Sequence, residues 1–191
     1  MRTRSVPVPT GAVNRLLAWI AVGPLMVRGV AFGAGQAALL LSVPSELLNP
    51  QIGLAMLVLA AVTAVAPGSQ WVSVLEYLAV GAWLVTTTVQ LYEITPARIL
   101  GLAVATYLHH SACALAAGMP ADAVVAPRVL LDWALRNAVV VAVSVPVGLL
   151  VLNLPALLGR SGQVAVPVAG LAALVLAGLG LVRLARGGHR S

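Results

Sequence analysis

The chain is a succession of apolar runs bounded by proline, glycine or arginine, and no stretch between them is long enough to form a soluble domain. A bilayer's hydrocarbon core is about 30 Å thick and takes about 20 apolar residues as a helix. Runs that meet or approach that length cover about 16–43, 48–66, 72–92, 97–117, 135–154 and 164–184. The pattern predicts an all-α fold: a polytopic transmembrane helix bundle of about six spans, filling 16–184 as one domain, with tails at 1–15 and 185–191. Composition agrees. Only 8% of the residues are charged and 61% are hydrophobic, and mean hydropathy is +1.03. A soluble domain carries about 25% charged residues, so this chain has too few to cover a surface in water.

The run boundaries follow turn chemistry. Gly23-Pro24 and Arg28 interrupt the first run, which is either one kinked helix or an interfacial element followed by a span. Pro44-Ser45 ends it, and Pro67-Gly68 ends the second. Trp71 and Tyr92 stand at opposite ends of the third as interface anchors. Pro96 opens the fourth, which stops at Gly118-Met119-Pro120. The fifth has polar first turns, so its membrane part is expected to start near Leu135, and Pro146 or Pro155 can kink it or end it early. The longest polar connection, about Gly118 to Trp133, precedes it.

All eleven cationic residues are Arg, and their positions set the orientation. With six spans, one side holds Arg2, Arg4, Arg15, Arg128, Arg136, Arg183, Arg186 and Arg190, and the other holds Arg98 and Arg160. Positive charge stays inside, so both termini are expected in the cytoplasm, in a multi-pass protein of a bacterial plasma membrane. The net charge of +6 is thereby a topology signal and not one for nucleic acid. Arg2 and Arg4 resemble a signal-peptide n-region, but no small-residue cleavage site follows, and the first helix is expected to be retained. The single cysteine, Cys113, excludes an internal disulfide and a Cys-based metal site.

Ionisable groups inside an apolar run are costly and often functional. Four stand out. Arg28 either faces the bundle, paired with a carboxylate such as Glu76 or holding an anionic group, or snorkels to the headgroups from a span that begins near Pro24. Glu76 is either a proton-carrying carboxylate or an interfacial residue near the positive end of its helix. His109 and His110 project about 100° apart and cannot clasp one metal from a single helix. The only other histidine, His189, lies in the tail, so a bis-His haem within the chain is not expected, and hydrogen bonds across helices fit the pair better. Gln36, Thr86, Thr87, Thr88, Gln90 and Asn137 are neutral groups suited to joining helices, with the threonines also able to line a pore. Gly29, Gly33 and Ala37 form a small-residue face on the first helix, and Gly170, Leu174 and Gly178 a looser one on the sixth.

The segment before the fifth span is the most charged. Asp122, Arg128, Asp132, Trp133 and Arg136 read as a cytoplasmic docking loop for a partner, or as a solvated helix start in which Asp132 and Arg136 pair one turn apart. No nucleophile elbow, P-loop, zinc-protease motif or paired aspartates occurs, so no catalytic, cofactor-binding or metal-ligating residues are assigned.

One stretch carries a family resemblance. Pro67-Gly68-Ser69, Gly81-Ala82-Trp83-Leu84, Leu108-His109-His110-Ser111-Ala112, and Pro127-Arg128-Val129-Leu130-Leu131-Asp132-Trp133 with Arg136 make residues 67–150 similar to small uncharacterised actinobacterial integral membrane proteins. Those proteins are encoded beside MoxR-type AAA+ ATPases. The resemblance implies an accessory role beside an ATPase-linked assembly system and brings no catalytic residues. The sixth span goes beyond its pattern. The expected activity is that of a non-enzymatic accessory or scaffold subunit of a cell-envelope membrane complex, with the lipid bilayer and a membrane protein as partners. The alternative is a small transporter or channel built on the intramembrane polar residues.

Overall fold

A computed structural model of the chain describes residues 22–89, 95–120 and 125–158. It holds five helices: α1 (Val22–Ser42), α2 (Pro50–Val65), α3 (Trp71–Thr88), α4 (Pro96–Ala117) and α5 (Pro127–Leu158). One 3-10 turn, Ser45–Leu47, lies between α1 and α2, and the described residues include no strand. The chain divides into two compact units, Met1–Ala142 and Val143–Ser191. The first holds α1 to α4 and the first half of α5. Of the second, only the rest of α5 is described.

Proline and asparagine set the helix starts. Asn49 caps α2, its side-chain oxygen accepting from the Ile52 N–H at 2.8 Å, and Pro50 takes the first helical position. That position has no use for an N–H, so proline costs nothing there. Pro96 serves α4 in the same way, as the sequence predicts.

Four helices, α1, α3, α4 and α5, are long and apolar enough to cross a membrane. The fifth, α2, has 16 residues and is about 24 Å long at 1.5 Å per residue, short of a full hydrocarbon core. The pattern reading predicts five spans over these residues, and the structure gives four helices of spanning length and one shorter apolar helix. The sixth run, 164–184, lies outside the described residues, as do the tails and the start of the first run.

The fifth run differs further. Its helix opens at Pro127 and continues through both Pro146 and Pro155, so neither proline stops it. Each frees one carbonyl a turn earlier, a loss that neighbouring groups and local adjustment absorb in membrane helices. The segment 127–136, read from sequence either as a charged docking loop or as a solvated helix start, is the first part of this helix.

Helix α1 is the hub. It packs against α2, α3 and α4, most extensively against α4. Its inward stripe is Val27, Ala31, Gly35 and Ala38, all buried. Opposite stand Ala105, His109, Ala112, Cys113 and Ala116 of α4. Leu39, Met56, Ala60, Leu75, Ala79 and Leu102 complete one core cluster with Ala38 and Ala105. Small residues dominate both sides, which lets backbones approach and gain dispersion contacts where lipid removes the hydrophobic drive between helices.

The small-residue face named from sequence is not this one. Gly29 and Gly33 are exposed, and a Cβ on either would meet nothing within 4 Å. The glycine that matters is Gly35, where a Cβ would lie 2.8 Å from His109 Nδ1 and 2.9 Å from its Cε1. An Ala- and Gly-rich helix offers several small faces, and only the bulk of the facing helix selects one.

The outside is apolar. Val65 and Tyr77 are 72% and 77% exposed, and Leu25, Leu54, Val139 and Val143 are also open. In water such a surface would drive aggregation, whereas acyl chains cover it without penalty. Gly35→Ala is expected to lower stability by about 1–3 kcal/mol, the usual range for overpacking. Gly33→Ala should be neutral or slightly stabilising. Thermal unfolding of the purified variants in mild detergent checks both.

Candidate functional site

Several polar side chains within the helices hold a defined partner. Arg28 Nη1 donates to the Val65 carbonyl at 3.2 Å, and Val65 is the last residue of α2. Arg98 Nε donates to the Leu41 carbonyl at 2.8 Å, next to the last residue of α1. The final carbonyls of a helix lack intrahelical donors and carry the negative end of its dipole. A guanidinium there supplies both a donor and a charge. Arg28 therefore meets a helix end and not Glu76. Sequence alone counts Arg98 only as a topology marker, and its proximity to the turn before α4 is the one hint of this role.

The two histidines diverge, as adjacent helical positions must. His109 is fully buried between α1 and α4, with Nδ1 2.8 Å from the Ala31 carbonyl. A carbonyl only accepts, so Nδ1 carries the proton. Nε2 is then left with the Cys113 thiol, 3.8 Å away, as a weak donor. The ring lies directly against Gly35. Cys113 is itself buried, a small apolar residue of the second core cluster with Val27, Ala31, Val72, Ala112 and Ala116.

His110 is turned outward and donates from Nδ1 to Glu76 Oε1 at 3.0 Å, joining α4 to α3. The Glu76 side chain is 19% exposed and that of His110 67%. Among the described residues this is the one acid–base pair in contact. It heads a groove of about 490 Å³ between α3 and α4, walled by Val80, Trp83, Leu102, Ala103 and Tyr107. Of the four intramembrane candidates, Glu76 and His110 meet, His109 is locked into the α1 contact, and Arg28 is held elsewhere.

The proposed docking residues are placed as follows. Arg128, Asp132 and Arg136 are exposed on the first turns of α5, and Asp132 and Arg136 make no ion pair with each other. Trp133 turns inward, its Nε1 donating to Ser111 Oγ at 3.0 Å. Asn137 follows one turn later, buried, its Nδ2 donating to the Trp133 carbonyl at 2.8 Å, with Oδ1 left without a partner among the described residues. Asp122 lies outside the described residues.

Of the threonine run, Thr86 alone joins two helices. Thr86 is buried and donates to the Ser42 and Trp83 carbonyls at 3.3 and 3.0 Å. Thr87 and Thr88 donate back to carbonyls of their own helix. Gln36 is partly buried with its Oε1 unpaired among the described residues, and Gln90 is outside them. No group of three or more His, Cys, Asp or Glu that could hold a metal ion occurs among the described residues. The chain matches no family model, no curated protein and no solved structure.

His109→Phe removes the ring's hydrogen bond to α1 and sets a larger ring against Gly35. It is expected to cost at least about 0.5–1.5 kcal/mol of stability, the net value of a hydrogen bond. His110→Phe, on an exposed position, should stay within about 0.5 kcal/mol of the parent. Equilibrium unfolding of both variants under the same detergent conditions distinguishes them.

Proposed function

We propose that the chain is a multi-pass plasma-membrane protein acting as a non-enzymatic accessory or scaffold subunit that associates laterally with another membrane protein. The observation that carries this reading is the state of α5. Its 32 residues extend about 48 Å, well beyond a bilayer core. Trp133 ties its first turns to α4, and among the described residues of the same unit no side chain from Ala138 to Ala142 is buried. A long, Val-rich helix with open side chains is a ready packing surface for a helix of another chain. The exposed Arg128, Asp132 and Arg136 at its start add a charged patch for a cytoplasmic partner.

The six-span arrangement with cytoplasmic termini belongs to the same proposal, and rests on the arginine distribution. The ATPase-linked assembly system implied by the resemblance over 67–150 is the class of partner it favours. The transporter reading retains one supporting observation, the Glu76–His110 pair. That pair heads a mostly apolar groove and is separate from both arginines, each of which is tied to a helix end.

The tagged full chain, expressed at native level and solubilised mildly, is expected to co-purify with a stoichiometric membrane protein. Val143→Phe with Val147→Phe on α5 should reduce that yield at least several-fold while leaving thermal stability unchanged. A clean monomer without a partner would sink the proposal.

A further inference from the structure

We infer that the α3–α4 groove is a binding site for one chain of a membrane aminophospholipid, with Glu76 and His110 holding its phosphoethanolamine head. The inference goes beyond the scaffold reading and rests only on the chain residing in a bilayer.

The groove is graded along its length. Glu76 and His110 stand at one end, and Val80, Trp83, Ala103, Leu102 and then Ile99 continue toward the other. From Glu76 to Trp83 is about 10 Å along α3, and from His110 to Ile99 about 16 Å along α4. Half of a hydrocarbon core is about 15 Å. The groove therefore runs parallel to lipid chains, is about one leaflet deep, and has its polar groups where a lipid in that leaflet has its head. Glu76 lies five residues after Trp71, the exposed aromatic that opens α3, so the pair sits a little below the interface and not at the midplane.

The polar end selects the head. Glu76 Oε1 accepts from His110 Nδ1, and Oε2 has no partner among the described residues. A primary ammonium donates to that oxygen, whereas the quaternary ammonium of a choline head has no N–H to give. His110 Nε2 stays open on the exposed side of the ring. When the ring is neutral it accepts from the same ammonium, and when protonated it donates to the phosphate. The carboxylate–imidazole pair thus complements a head that carries both signs. The Thr106 hydroxyl, one turn further along the same wall, is buried without a partner among the described residues. It adds unused hydrogen-bonding capacity at the depth of a lipid's ester groups.

Trp83, in the groove wall, reports occupancy. The full-length protein is reconstituted into phosphatidylcholine vesicles that contain, at equal mole fraction, either phosphatidylethanolamine or phosphatidylcholine with brominated chains. Bromine quenches tryptophan on contact. Brominated phosphatidylethanolamine is expected to quench about twofold more, equivalent to a preference of about 0.4 kcal/mol. Trp83→Phe should remove the difference, and Glu76→Gln should remove it by taking away the charge. Ala103→Phe should also remove it, by filling the exposed groove while leaving the polar pair and the buried core in place. Equal quenching by both lipids overturns the inference, as does an excess that survives in Trp83→Phe or Ala103→Phe. Quenching of no tryptophan by either lipid would overturn membrane residence itself.

Discussion

The packing of α1 against α4 depends on the absence of a side chain at Gly35. His109 occupies that space and donates to the Ala31 carbonyl, one turn earlier on the same face. Ring and glycine fix both the depth and the rotation of the contact, because the imidazole cannot retreat without abandoning its hydrogen bond. Leu75 of α3 reaches the same glycine, its Cδ1 3.3 Å from where a Cβ would stand. Three helices therefore meet where one of them has no side chain. In lipid, where apolar faces have no reason to prefer each other over acyl chains, such shape-specific contact is what selects one arrangement.

Most polar side chains in this bundle meet a second constraint by finding a partner inside the protein, although Gln36 Oε1, Thr106 Oγ1 and Asn137 Oδ1 have none among the described residues. Two arginines cap the ends of two different helices, and one threonine–serine contact, one tryptophan–serine contact and the His109–Ala31 hydrogen bond tie neighbouring helices. Once these are accounted for, little ionisable chemistry remains among the described residues beyond the Glu76–His110 pair and the exposed start of α5. That economy fits the two proposed roles, a packing surface along α5 and a lipid groove between α3 and α4.

Helix existence was legible from the sequence because length and apolar content alone decide it. Pro96 even placed one start closely, since a missing N–H costs nothing at the first helical position. Helix faces were not legible. Gly29, Gly33 and Gly35 are equivalent in composition, and only the position of His109 on another helix distinguishes them. The same holds for Arg28, whose partner is a backbone carbonyl that no residue pattern marks. The bounds of α5 were legible only as alternatives, because polar first turns and internal prolines can stop a helix but are absorbed by a long apolar one.

The α1–α4 register is tested most directly by a disulfide across it. A Cβ at Gly101 would lie 3.1 Å from Leu41 Cδ1, near the opposite end of the contact from His109. In a Cys113→Ala background with a protease site in the α2–α3 turn, Leu41→Cys with Gly101→Cys should form a disulfide on mild oxidation in membranes, so that the cleaved halves stay joined on a non-reducing gel. Failure of that pair, together with a cross-link from Gly33→Cys to Ala112→Cys, would put the other glycine face against α4 and contradict the arrangement described.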